Sequence, residues 1–272
     1  MDALPAASKR GVTLRGLRSL RALLVQLTRS GRFGDALDFN TVTTEDFVYK
    51  WVKDAAVTGV ERLIDCPAFI DAKDIGDPTY FVSHAWKSPL VKLIDTVLDF
   101  LRDAPDDTCV WIDVLAINQH RDTRPEVNKA DVAAFEHTLK ICIAGTIVIV
   151  DMLTCSPATR SWCLFEWDHT VLFHGLDGLH LVGMSAKERS AIVREINVER
   201  AECFDPADNV MILDKITKHH GSPAAFNAAL KLQLLLSPLS YKVDREHLLA
   251  RSAGTLWDFS PVQDWLGSAG RL

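Results

Sequence analysis

The sequence predicts an α/β protein built on a doubly wound parallel sheet, with helical extensions at its N- and C-terminal ends. Three observations predict it. From Thr79 onward, short β-branched or aromatic runs alternate with helical runs of about 10–15 residues, which is the rhythm of βαβ units. The run Thr146-Ile147-Val148-Ile149-Val150 is β-branched throughout, as suits a central parallel strand covered on both faces. Finally, 48% hydrophobic against 24% charged residues over 272 positions is a composition that buries a sizeable core.

Residues 13–28 carry leucines at 14, 17, 20, 24 and 27, with Arg15, Arg18 and Arg21 displaced by one position. This is a basic amphipathic helix. Such a helix docks on a domain with its arginines solvated, lies on a membrane surface, or acts as a transit peptide. Gly31 and Gly34 break the pattern, so residues 1–40 read as an N-terminal arm. Thr43-Thr44-Glu45-Asp46 reads as the cap of a short helix, and the rest of 41–78, rich in Asp, Pro and Gly, as an irregular lead-in.

Tyr80-Phe81-Val82-Ser83 reads as the first strand of the α/β region. Positions 90, 93, 94, 97, 98 and 101 are apolar, which is helical spacing, and Pro89 suits the first turn. A second strand is expected over 109–114, a helix over 131–141, a third strand over 146–150, a helix over 161–173 and a weaker fourth strand over 180–183. Helices over 187–196, 206–219 and 223–236 complete a domain spanning 79–240. Residues 241–272, with Trp257 and Trp265, read as a docking tail.

Charge narrows the function classes. Residues 1–34 hold seven Lys or Arg and one acidic residue, Asp2, so the remainder of the chain carries −12 of the overall −6. An acidic body excludes a broad nucleic-acid footprint. The longest nearly apolar run, 141–150, is far short of the roughly 20 residues a membrane helix needs, and no segment reads as a secretory signal. The six cysteines form no Cys-x-x-Cys pair, so no structural zinc is expected and the thiols point to a reducing, cytoplasmic setting. No Gly-rich phosphate loop is present, which excludes a P-loop NTPase.

In an open parallel sheet, ligands bind beyond the carboxyl ends of the strands. Those ends carry Ser83, His84 and Trp86 after the first strand, and Asp113 with 116–120 after the second. Beyond the third strand, a helix opens with Trp162 and Glu166, four apart and so on one face. Asp113 either caps a turn or holds a ribose; Asn118 and Gln119 pin backbone. His84, His120, His169 and His174 are the metal-ligand candidates, with Asp113 beside them. They include no His-x-x-x-His or His-Glu-x-x-His spacing, so no metal site is expected. Cys163 beside His84 is a conceivable nucleophile, although a thiol inside a helix is generally inert.

The segments Ser83-His84-Ala85-Trp86, Trp111-Ile112-Asp113 and Ser161-Trp162-Cys163-Leu164-Phe165-Glu166 occur in an order that resembles the Toll/interleukin-1 receptor (TIR) family. The third matches that family's Trp-x-x-x-Glu pattern. The second, continued by Ala116-Ile117-Asn118-Gln119, resembles heterokaryon-incompatibility domains, which are distant TIR relatives. The likeness covers about 79–184. Two segments depart from the TIR pattern: Pro78-Thr79-Tyr80 stands where the family has an Asp, and Arg121-Asp122-Thr123-Arg124-Pro125 matches the Arg-Asp-x-x-Pro-Gly loop only in part. The resemblance implies a flavodoxin-like sheet and cleavage of NAD+, as substrate rather than cofactor, with Glu166 catalytic and Ser83, His84, Trp86, Asp113 and Trp162 lining the pocket. It also implies a homo-oligomer on activation. The alternative within the same fold is a signalling adaptor that self-associates without chemistry.

Overall fold

The computed structural model describes residues 7–30, 38–52, 62–120, 125–153, 156–237 and 239–240. The chain divides into two compact units, Met1–Thr146 and Ile147–Leu272. That boundary falls inside the segment 79–240, which the sequence reads as one domain.

The described part of the first unit opens with a turn, Ala7–Lys9, and a short strand, β1 (Gly11–Thr13), that the sequence did not suggest. The Thr13 hydroxyl accepts the Gly16 N–H and so caps α1 (Leu14–Arg29). The amphipathic run docks on the domain: Leu14, Leu17, Leu20 and Leu24 are buried. Its arginines are paired as well as partly solvated, Arg15 with Asp74, Arg18 with Asp106 and Arg21 with Asp95. Partly exposed pairs of this kind contribute about 0–1 kcal/mol each, so burial of the leucines holds the helix in place. Next come α2 (Thr44–Phe47), closed by a Thr43–Asp46 capping box, and a π-helical turn over Val48–Val52.

The remaining elements of this unit are β2 (Ile75–Gly76), β3 (Tyr80–Ser83), α3 (Leu90–Phe100), β4 (Cys109–Trp111), α4 (Asp113–Ala116), α5 (Pro125–Ala133) and α6 (Phe135–Ile141). Three differ from expectation. The second strand stops at Trp111, because Asp113 accepts the Val114 N–H and the chain turns into α4. The helix expected over 131–141 is two helices, broken where the Ala134 N–H is shared between the Ala130 and Asp131 carbonyls. Pro89 stands one residue earlier than expected, as the N-cap of α3.

The sheet of this unit runs in the order β2-β1-β4-β3. β3 and β4 are parallel, with Tyr80 opposite Val110. β1 is antiparallel to both β4 and β2, so the sheet is mixed and the expectation of a wholly parallel sheet is corrected. β1 and β2 are too short, and too poor in apolar runs, to show in the hydrophobic pattern; antiparallel strands also need no crossover helix to announce them. Gly11 and Gly76 face each other across β1 and β2, packed against Cys109. A Cβ on Gly76 would stand 2.9 Å from the Cys109 sulfur, and one on Gly11 3.0 Å from the Cys109 Cβ, so a side chain at either position would have to displace Cys109. The core centres on Phe81, stacked on Trp111 at 4.8 Å, with the Phe135 ring edge-on to both at 5.3 and 5.2 Å. The buried indole N–H of Trp111 donates to the Ala7 carbonyl, which ties the N-terminal turn into this core.

The second unit begins within β5 (Thr146–Ile149), whose four residues are all buried, as a strand covered on both faces requires. It continues through α7 (Ser161–His174), β6 (Leu179–Val182), α8 (Ala186–Glu195), α9 (Pro206–His220), α10 (Pro223–Leu236) and β7 (Leu239–Ser240). Its strands lie in the order β5-β6-β7, and β7, which the sequence did not suggest, runs parallel to β6 with Leu181 opposite Leu239. Ser185, Asp205 and Ser222 cap α8, α9 and α10. Residues 163–170 of α7 are buried on every side, consistent with a central helix. Leu164, Phe165 and Trp167 pack into a core with Leu181, Ile192, Ile212 and Leu230. Arg189 of α8 is fully buried and donates to the Ser237 carbonyl at the end of α10. Among the described residues no helix is long and apolar enough to cross a membrane. The tail over 241–272 and the segment Arg121–Arg124 lie outside the described residues.

Candidate functional site

In the first unit, the carboxyl ends of the two parallel strands bring Ser83, His84, Trp86 and Asp113 together. β3 ends at Ser83, which is 1% exposed and whose hydroxyl therefore lies in the interior rather than on an open surface. The chain then leaves the sheet through His84 and Ala85 to Trp86. β4 ends two residues before Asp113. The indole N–H of Trp86 donates to Asp113 Oδ2 at 2.7 Å, and the Val114 N–H donates to Asp113 Oδ1 at 2.7 Å. Both distances are short for N–H donors, in keeping with a charged acceptor. The Gln119 side-chain amide donates to the Asp113 carbonyl. The carboxylate is thus fixed by two bonds, with its side chain 20% exposed.

His84 Nδ1 lies 3.7 Å from Asp113 Oδ1, too far for a hydrogen bond. Burial pushes the His84 pKa below the usual imidazole range, with the Asp113 charge and a backbone bond to Val82 opposing. The imidazole is therefore neutral at pH 7 and does not neutralise Asp113. The loop carrying Trp86 is strapped from outside by the start of α2. Glu45 N–H donates to the Trp86 carbonyl, Thr44 N–H to that of Ser88, and Leu90 N–H to that of Val42.

The loop after α4 is held by a buried network that sequence reasoning missed. Asn118 donates its backbone N–H to Asp131 Oδ2 at 2.9 Å, accepts the His120 N–H on its side chain, and accepts Asn128 on its carbonyl. Asp131 in turn takes a two-pronged bond from Arg62, at 3.0 and 2.8 Å. Asp65 lies 3.6 Å from the same guanidinium and pairs with Arg10. Two arginines and two aspartates balance, as buried charge requires. Asn118 does pin backbone, as its Asn-Gln setting suggested. Arg62 and Asp65 fall in the stretch read as irregular, and no sequence spacing links them to Asp131.

Trp162 and Glu166 belong to the second unit, on α7. Glu166 is 6% exposed, and the Thr170 hydroxyl donates to its backbone carbonyl. The Trp162 indole N–H donates to Asp208 Oδ2 at 3.3 Å, and its ring meets Phe165 edge-on. Ser161 donates to the Asn209 side chain, and the Lys215 ammonium stands over the Phe165 ring. The start of α9 thus grips the start of α7. Further along, Asp168 is buried against His220 Nε2 at 3.0 Å, and His169 stacks on Phe165 while its Nδ1 bonds the Phe165 carbonyl. Neither pairing was suggested by the sequence. Cys163 is buried in the α7 core, a setting for a packed thiol rather than a nucleophile. Cys66, Cys109, Cys142, Cys163 and Cys203 are thiols in no disulfide; Cys155 lies outside the described residues. Among the described residues no group of three or more His, Cys, Asp or Glu is placed to hold a metal ion.

Comparison with protein-family models, with curated proteins and with solved structures found no match for this chain.

Proposed function

We propose that this chain is a TIR-like domain of flavodoxin-like arrangement that cleaves NAD+ at the nicotinamide–ribose bond, with Glu166 as the catalytic carboxylate. The observation that carries the reading is the segment Ser161–Glu166: a helix whose first turns hold Trp162 and the largely buried Glu166, in the Trp-x-x-x-Glu pattern that resembles the TIR family. Support also comes from Trp86 and Asp113, joined at the carboxyl ends of parallel strands, where α/β proteins bind nucleotides.

The chemistry asks little of the protein. Nicotinamide leaves as a neutral base when the C1′–N bond of its cationic pyridinium breaks, so no acid is needed. Positive charge grows on the ribose, and water adds at C1′ to give ADP-ribose, nicotinamide and one proton. A carboxylate largely withdrawn from water acts strongly on that growing charge. One such contact is worth about 100- to 1,000-fold in rate. NAD+ is the substrate, no cofactor is required, and assembly into a homo-oligomer raises the activity. The setting is cytoplasmic; burial of the α1 leucines leaves that helix no free apolar face for a membrane.

The test is to incubate concentrated or crosslinked protein with NAD+ and assay free nicotinamide. Release by wild type and its loss in Glu166→Ala are expected. No release from wild type overturns the enzyme reading, and equal release from Glu166→Ala overturns the assignment. The adaptor reading rests on one observation, the incomplete Arg-Asp-x-x-Pro-Gly match at Arg121–Pro125. It predicts self-association with no nicotinamide release at any concentration.

A further inference from the structure

We propose that the outward face of α10 is a docking surface for this chain's own C-terminal segment over 261–269, an inference that does not depend on the NAD+-cleavage reading. The inward face of α10 is that of any core helix: Phe226, Leu230 and Leu234 are buried in the core of the second unit. The outward face departs from the usual pattern. The exposed residues of α10 are Ala224, Ala225, Ala228 and Leu232, the last 48% exposed, with Ala229 and Leu236 half-buried beside them. Lys231, half-buried, is the one charged residue of the helix. On α8, by contrast, the exposed residues are Lys187, Arg194 and Glu195. A helix that is apolar all round is stable where something covers it, and an apolar surface left open marks an interaction site.

The chain that follows α10 is suited to cover it. α10 ends at Leu236, the carbonyl of its cap Ser237 is held by the buried Arg189, and the described chain closes at β7, Leu239–Ser240. Residues 241–272 thus leave the fold a few residues past the end of α10. Among them, Val262, Trp265, Leu266 and Ala269 stand at i, i+3, i+4 and i+7, one apolar stripe of helical period, and Pro261 suits its first turn. As a flexible chain, residues 241–260 would span about 25 Å, close to the roughly 21 Å length of the 14-residue α10. Such a tether keeps the segment near the face at a local concentration of about millimolar order. Alanines at 225 and 228 let a second helix approach closely, and Trp265 and Leu266 bring the bulk that a shallow face needs.

The experiment is hydrogen exchange on the full chain, read by mass spectrometry over 261–269, in wild type, Leu232→Lys and Ala228→Glu. Both substitutions fall on exposed positions, and circular dichroism checks that the fold is kept. In wild type these amides are expected to exchange about tenfold or more slower than an unstructured peptide of the same sequence, and each substitution is expected to remove that protection. The reciprocal measurement is maleimide labelling of Ala228→Cys, expected to speed up by about the same factor when Trp265→Ser and Leu266→Ser are added. Unprotected amides in wild type, protection that neither substitution changes, or labelling that the serine substitutions leave unaltered overturns the proposal. Protection that fades on dilution overturns it too, because the cover is then a second copy.

Discussion

Replacing Asp131 by alanine strands a buried guanidinium and is expected to be among the most damaging single changes in the first unit. The carboxylate accepts three bonds, from Arg62 Nε at 3.0 Å, Arg62 Nη2 at 2.8 Å and the Asn118 N–H at 2.9 Å. The two side chains are only 5% and 4% exposed, so water cannot take over these bonds without opening the fold. Removing one partner of a buried pair costs about 3–5 kcal/mol. The orphaned Asn118 N–H pushes the value towards the upper end, while Asp65, at 3.6 Å from Arg62, offsets part of the loss. For an unfolding unit of roughly 150 residues, each kcal/mol lowers Tm by about 2–4 °C, so a fall of about 6–20 °C is expected. Urea unfolding followed by circular dichroism reads the free energy and calorimetry reads Tm. The double variant Arg62→Met/Asp131→Leu is expected to cost less than Asp131→Ala, because it buries no charge. A loss under about 1 kcal/mol for Asp131→Ala, or a double variant worse than either single change, would refute the reasoning.

Three further outcomes are expected. Gly16→Ala would raise helix propensity, yet its Cβ would stand 2.7 Å from the Asp74 Cβ, and Asp74 is fixed by Thr13 and Arg15. A loss of about 1–3 kcal/mol by urea unfolding is expected in place of the usual gain, and a gain would show that Asp74 can yield. His84 has its pKa lowered by burial, so below about pH 6.5 the unfolded chain takes up a proton that the folded chain refuses. Stability is therefore lost as pH falls from that point, by up to about 1.4 kcal/mol per pH unit. Unfolding at pH 7.5 and 5.5 should show a steeper loss for wild type than for His84→Gln, and parallel losses would count against a buried neutral imidazole. Thr43→Ala removes the acceptor for the Asp46 N–H in the α2 capping box and is expected to cost about 1 kcal/mol.

Elements with a strong local signature were legible in the sequence. The strand at Tyr80–Ser83 was found by its aromatic and β-branched run, and the helix at Leu90–Phe100 by its apolar spacing. Of the five leucines that the spacing named in α1, the structure buries Leu14, Leu17, Leu20 and Leu24 and leaves Leu27 half-buried. What stayed hidden depends on partners distant in sequence. β1 is three residues long and pairs with Cys109 and Val110, almost a hundred residues away. The Arg10–Asp65–Arg62–Asp131 network joins residues that have no common period. At the candidate site, the rule about strand ends singled out Trp86 and Asp113, and the structure joins them by a hydrogen bond. It did not reveal that Ser83 faces inward, or that the indole of Trp162 is engaged by Asp208, because the first turns on the pleat of β3 and the second on the packing of α9.

The measurement closest to the central claim is nicotinamide release from NAD+ by wild type and Glu166→Gln at matched high concentration, with circular dichroism confirming that both are folded. Gln keeps the shape and removes the charge, so the account predicts release by wild type and a fall of about 100- to 1,000-fold in the variant. A silent wild type, or a variant as fast as wild type, would contradict it.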